Sequence, residues 1–275
     1  MRAAVITDIH VGLDSYTSKG MLLKSGKDAI PVLEDFIRAV NALDVDCVID
    51  LGDRISAIKT SDDVRNLQSV KDRYNTLSKP LYYIPGNNEY RNLDACQIEL
   101  LTGYPSRTYS DVVNGVHTVF WNCDVYHKYG FMLSDQDLND LQTTLDRHPA
   151  MPTIVCTHIP LDNNSERRLE VLKSRGLPET HGRYGLFHYP NAHKARAIIE
   201  NHGHVAACLA GHRHTSRRSE INGIHYFTLD SPIGLRKSYK GKIPKTYAII
   251  DILPGTRSGN IELWGHRPEN FTFSY

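Results

Sequence analysis

Long apolar runs are missing from this chain. No stretch of its 275 residues approaches the ~20 consecutive apolar positions of a membrane-spanning helix. The opening residues Met1–Ile6 run directly into Thr7-Asp8 without the apolar core of a secretory signal. An excess of either charge is lacking too: 32 Lys and Arg face 31 Asp and Glu, for a formal net charge of +1. That balance excludes a global field for nucleic acid or an anionic membrane. Cysteine is sparse, with five residues (Cys47, Cys96, Cys123, Cys156 and Cys208) and no Cys-x-x-Cys pair. A disulfide framework is therefore not expected, and free thiols in a reducing cytoplasm are. Low-complexity tracts and repeats are also absent. What is present is 40% hydrophobic and 23% charged residues, the balance of a folded globular chain. Its length predicts one domain over 1–275.

Short β-branched runs alternate with amphipathic segments. Ala3–Thr7, Cys47–Leu51, Leu81–Ile84, Thr153–Thr157 and Val205–Ala210 read as buried strands. Between them, Asp28–Leu43 places Ile30, Leu33, Phe36, Ile37 and Val40 on one helical face. Ser61 is expected to cap a second helix and Ser134 a third, while Ala192–His202 should stop at Gly203. This alternation predicts an α/β layered fold. Hairpins are expected at Asn114-Gly115 and Asn222-Gly223. Thr215–Ile221, Ile224–Leu229 and Thr246–Leu253 read as antiparallel strands, with a last strand at Gly259–Gly265. One connection, 161–190, is too long for an ordinary loop. It is read as a lid or substrate-recognition insertion, with a short helix capped by Ser165.

Five polar islands fall at or just beyond the C-terminal ends of these strands. They are Thr7-Asp8-Ile9-His10, Leu51-Gly52-Asp53-Arg54, Pro85-Gly86-Asn87-Asn88-Glu89, Thr157-His158-Ile159-Pro160 and Ala210-Gly211-His212-Arg213-His214. Ligand sites in open α/β sheets lie at such strand ends. Each island offers oxygen or imidazole donors, and a mixed carboxylate–imidazole set suits Zn, Fe or Mn better than Ca or Mg. Singly, each has an ordinary reading: a turn at Gly52-Asp53, a core or capping His158, surface histidines at 212 and 214. Their joint order points to a metal centre.

The series Asp-x-His, Gly-Asp, Gly-Asn-x-Glu, His and Gly-His-x-His resembles that of the calcineurin-like metallophosphoesterases across residues 5–214. The resemblance implies a four-layer double β-sandwich flanked by helices, with two divalent ions (Mn, Fe or Zn) at the loop mouth. It assigns Asp8, His10, Asp53 and His214 to one ion and Asp53, Asn87, His158 and His212 to the second, with Asp53 bridging. A pair of cations ~3.5–4 Å apart needs such a bridging anion and supplies hydroxide near neutral pH for in-line attack on phosphorus.

The chain departs from that family at Asn88, where the motif has histidine. Asparagine does not titrate, although its amide still donates hydrogen bonds to a phosphate oxygen. Three explanations stand side by side: a native variant with another acid, a deliberate substitution, or a leaving group that needs no proton. His181, Tyr184 and His188 in the lid are candidates for the acid and for substrate contact, and equally for plain lid surface. Arg54, next to the bridging aspartate, is a candidate for phosphate contact or for a salt bridge. Near-balanced charge in the lid argues against a nucleic-acid track. A small phosphodiester of cyclic-nucleotide or glycerophosphodiester type is expected as substrate. The alternatives are a phosphomonoesterase, a nucleotide pyrophosphatase, or a non-catalytic scaffold left by the change at Asn88.

Overall fold

The computed structural model describes residues 1–123, 131–162, 174, 189–235 and 241–275. In chain order the strands and helices are β1 (Arg2–Ile6), β2 (Ser15–Tyr16), β3 (Leu22–Lys24), α1 (Ala29–Asn41), β4 (Cys47–Asp50), α2 (Thr60–Tyr74), β5 (Leu81–Tyr83), α3 (Glu89–Asn92) and α4 (Ala95–Thr102). There follow β6 (Tyr109–Val113), β7 (Val116–Phe120), α5 (Asp135–Leu145), β8 (Thr153–Cys156), α6 (Ala192–His202) and β9 (Val205–Ala210). The chain closes with β10 (Arg217–Ile221), β11 (Ile224–Thr228), β12 (Tyr247–Leu253), β13 (Ser258–Trp264) and β14 (Glu269–Ser274).

Two six-stranded sheets result, in the orders β14-β13-β12-β1-β4-β5 and β10-β11-β9-β8-β7-β6, with β2 and β3 as a separate ribbon. Strands β1, β4 and β5 run parallel, as do β7, β8, β9 and β11. Parallel sheets are buried on both faces, and that is why these strands read as unbroken apolar runs. The period of two divides each strand between cores. Ala3 and Val5 face the inter-sheet core with Ile49, Phe120, Ile154 and Leu209, whereas Ala4 and Ile6 face α1 through Leu33, Phe36 and Ile37. Helices α5 and α6 cover the outer face of the other sheet through Leu141, Leu145, Ala195 and Ile199. The order is helix, sheet, sheet, helix: the four-layer sandwich expected.

Several boundaries obey the local rules. Ser134 accepts from the Asp137 amide at 3.1 Å while Asp137 accepts from the Ser134 amide at 2.7 Å, a closed capping box. Gly203 ends α6 at φ +75°, and Asn222-Gly223 turn with φ values of +50° and +80°. Two expectations are corrected. Helix α2 starts at Thr60, and the Asp63 carboxylate accepts from the Ile58 amide at 2.9 Å, so Ser61 is no cap. β11 pairs antiparallel with β10 but parallel with β9, and β12 joins the other sheet beside β1. Strand β14 was not foreseen, although Phe271 and Phe273 alternate on it. The lid helix at Ser165 and the residues His181, Tyr184 and His188 lie outside the described residues. Among those described, no helix is long and apolar enough to cross a membrane.

Candidate metal centre

The parallel strands of both sheets direct their C-terminal ends to one mouth, and all five islands sit there. β1 delivers Thr7 to His10, β4 delivers Gly52 and Asp53, β5 delivers Gly86 to Glu89, β8 delivers His158, and β9 delivers His212 and His214. Two groups of donors converge. In each of the sets Asp8–His10–His214 and Asp53–His158–His212, the ligand atoms lie within 4.8 Å of one another. Between the sets, His10 Nε2 lies 3.6 Å from Asp53 Oδ2. Asn87 Oδ1 stands 3.2 Å from His158 Nε2, so it belongs to the second set. Every residue assigned to metal from the sequence is therefore in one cradle.

The backbone is bent to make this possible. Asp8, His10, Asp53, His212 and His214 all have φ between +46° and +67°, a left-handed conformation that costs each non-glycine residue of order 1 kcal/mol. Such strain persists only where the surroundings over-determine it. Glycine supplies the clearance: a Cβ on Gly86 would lie 2.3 Å from Asp53 Oδ1, and one on Gly211 would lie 2.0 Å from Thr7 Oγ1.

Partners outside the cradle orient it. His158 Nδ1 faces the Leu51 carbonyl at 2.7 Å and His10 Nδ1 faces the Ile55 carbonyl at 3.2 Å. Each imidazole thereby donates from Nδ1 and turns the Nε2 lone pair inward, the usual support of a metal-ligating histidine. Thr7 Oγ1 donates to Asp8 Oδ2 at 2.7 Å, and the His212 amide donates to the same oxygen at 2.7 Å.

The charges fit a pair of cations. Burial alone would raise Asp8 and Asp53, yet the neighbouring imidazoles, His214 for the first and His158 for the second, hold both carboxyls well below the usual range. Burial, and then the Lys24 ammonium 3.3 Å from Nδ1, push His10 down to about 4, which leaves it neutral and able to ligate. In the protein alone, Asp53 and Asp8 outweigh the burial of His158 and lift it to about 10. A proton thus balances charge where a cation would. Two anionic carboxylates, four inward imidazoles and an amide oxygen fit two mid-row divalent ions.

The remaining sequence candidates fare differently. Asn88 is only 8% exposed; its amide N–H donates to Asp53 Oδ1 at 2.8 Å, and its side-chain Nδ2 donates to Asp53 Oδ2. Arg54 does not reach the cradle, which corrects its expected phosphate contact. Its Nε donates to Asp50 Oδ2 at 2.7 Å, and the guanidinium lies 3.6 Å from the Tyr83 ring centroid, 1% exposed. Asp50 also accepts from Tyr74, so the pair clamps β4 to α2 rather than facing the mouth.

Glu89 and Ser231 were not singled out from the sequence. Fully buried, Glu89 accepts four amides: Gly86 at 2.7 Å and Asp53 at 3.1 Å on Oε2, Arg54 at 2.7 Å and Ile55 at 3.3 Å on Oε1. It ties the loop after β5 to the loop after β4. Burial and the Asp53 charge push its pKa up to about 8, while the Gly86 amide and His158 act the other way. Glu89 ends the Gly-Asn-Asn-Glu run, so position was its available signal. Ser231 donates to the Asp8 carbonyl at 2.8 Å, a contact across 223 residues that no spacing announces.

Comparison with known proteins agrees with this geometry. Residues 1–216 match the model of a family described as calcineurin-like phosphoesterase. No curated protein matches the chain in sequence. Among solved structures, a dimetal phosphatase from Danio rerio superposes with a TM-score of 0.76 at 15% identity, covering 100% of this chain and 99% of that one. Purple acid phosphatase PPD1 from yellow lupin (Lupinus luteus) gives 0.65 at 12% identity, with coverage of 100% and 53%. GAP50, described as the anchor in the inner membrane complex of Plasmodium, gives 0.61 at 14% identity, with 100% and 88%. At such identities the likeness speaks for the fold.

Proposed function

The chain belongs to the calcineurin-like phosphoesterase family, and on that premise we propose that it hydrolyses a small phosphodiester at the paired donor sets. The observation that carries this reading is the convergence of Asp8–His10–His214 and Asp53–His158–His212 at one mouth. Asp53 stands where one set meets the other, 3.6 Å from His10, and is the carboxylate to share, while Asn87 joins the second set beside His158. When bound, two divalent ions supply Lewis acidity to phosphoryl oxygens and lower the pKa of water to near neutrality. The residues then have distinct tasks. Leu51 and Ile55 carbonyls hold the imidazoles in the ligating tautomer, Glu89 holds the two loops in register, and Asn88 donates toward whichever oxygen lies beside Asp53.

One feature supports a diester over a monoester. Arg54 is committed to Asp50, which withdraws a cation that a dianionic monoester would use. Asn88 holds no proton to give, so an alkoxide leaving from either kind of ester takes its proton from elsewhere. Cyclic-nucleotide and glycerophosphodiester types fit the chain's balanced charge, which offers no nucleic-acid track. Asn88 also favours a second reading, a metal-bound scaffold without turnover; GAP50 shows that the fold is used by a protein described as an anchor.

The test is metal analysis with paired substrates. After loading with Mn, Fe or Zn, about two ions per chain are expected, with bis(4-nitrophenyl) phosphate cleaved at least tenfold faster than 4-nitrophenyl phosphate. Two ions without cleavage of either would establish the scaffold, and a preference for the monoester would overturn the diester reading. No metal after loading would remove both.

A further inference from the structure

The two sheets part along one side of the sandwich, between edge strands β10 and β14. There a cavity of about 220 Å³ enters the inter-sheet space, and none of its lining residues belongs to the cradle. Its walls are apolar: Phe227, Leu229, Ile261 and Leu263 are each at most 5% exposed, with Phe271 nearer the opening. Space of this kind holds water poorly, because its walls offer water no hydrogen bonds, and the lining atoms forgo dispersion contacts until something fills it. The mouth is charged instead. Arg217, Arg218 and Glu269 stand exposed around it, and the Arg218 guanidinium lies 5.2 Å from the Phe271 ring centroid. Among the described residues no carboxylate forms an ion pair with either arginine.

We propose that this cavity is a binding site for a small amphipathic carboxylate, with a single ring or short branched chain inside and its carboxylate on Arg218. Shape and charge both select that class. The volume admits one ring but not a nucleoside, and the Arg218 guanidinium over Phe271 offers one cationic fork to a monoanion. The planar fork of Arg218 matches a carboxylate bidentately, and its stacking on Phe271 holds that fork in place. This site takes a ligand of different chemistry from a phosphate ester and does not depend on metal.

The experiment titrates phenylacetate into the full chain, followed by calorimetry and by saturation-transfer NMR, with neutral phenylacetamide as the control. Saturable binding with a Kd below about 1 mM is expected for a ligand of this size. Phenylacetamide should bind about tenfold more weakly, and Arg218→Gln should weaken phenylacetate by a similar factor, because each removes one charge-assisted contact. Leu263→Phe should abolish binding by filling the space. Arg218 is exposed, so Arg218→Gln preserves the fold and decides the matter even where Leu263→Phe does not fold. No saturation up to about 10 mM, or equal affinity in wild type and Arg218→Gln, would overturn the proposal.

Discussion

Replacing Glu89 by glutamine changes one atom and turns one of its two acceptor oxygens into a donor. In the ionised form present above about pH 8, each carboxylate oxygen accepts two amides, Gly86 and Asp53 on one side and Arg54 and Ile55 on the other. A glutamine keeps a carbonyl toward one pair and turns an NH₂ donor toward the other. Two buried amides thereby lose their acceptor at about 1–3 kcal/mol each, or roughly 2–6 kcal/mol together. That is a large part of the 5–15 kcal/mol typical of a folded domain, so local rearrangement of one loop is the cheaper response. The loops carry Asp53 and Asn87, hence Glu89→Gln should lose stability in urea and also bind less metal per chain. Denaturation in chelator isolates the first effect, and metal analysis at limiting Mn or Zn isolates the second. Loss of less than about 1 kcal/mol with full metal content would show that Glu89 does not bind the loops together.

Other perturbations separate structural from chemical roles. Arg54→Met should cost about 3–5 kcal/mol in stability by leaving Asp50 buried without its cation, while kcat/KM on a diester changes less than about twofold; a selective rise in KM would return Arg54 to the substrate. Asn88→His should raise turnover of alkyl esters by about 10²-fold or more and leave nitrophenyl esters nearly unchanged, and equal gains on both would defeat the general-acid account. His117, at the far end of β7, has its ring 4.6 Å from that of His148. Burial first, then His148, His202 and Arg147, push it down to about 4. Its folded pKa lies below the unfolded value of 6.5, so protonation favours unfolding: this part of the stability is intact above about pH 6.5 and drains away as pH falls toward 4. About 2 kcal/mol is at stake after allowance for screening. His117→Phe should flatten that acid limb in urea melts taken between about pH 7 and 4, and an unchanged slope would refute the assignment.

The amino-acid order by itself determined the buried strands β1, β4, β5, β8 and β9 and the polar islands at their ends, because both are local signals. A strand buried on two faces must be apolar throughout, and its end must turn polar where the loops meet solvent and ligand. Asp8, His10, Asp53, Asn87, His158, His212 and His214 lie in those islands, and the family resemblance sorted them into two ligand sets. Tertiary structure alone decided where side chains of ambiguous chemistry point. Arg54 directly follows Asp53 in sequence, yet it turns to Asp50 and two tyrosines because those groups offer a buried guanidinium both charge and ring faces. Ser231 supports Asp8 from 223 residues away, and β12 crosses to the other sheet, for the same reason: pairings between distant segments depend on the whole packing and leave no spacing in the chain.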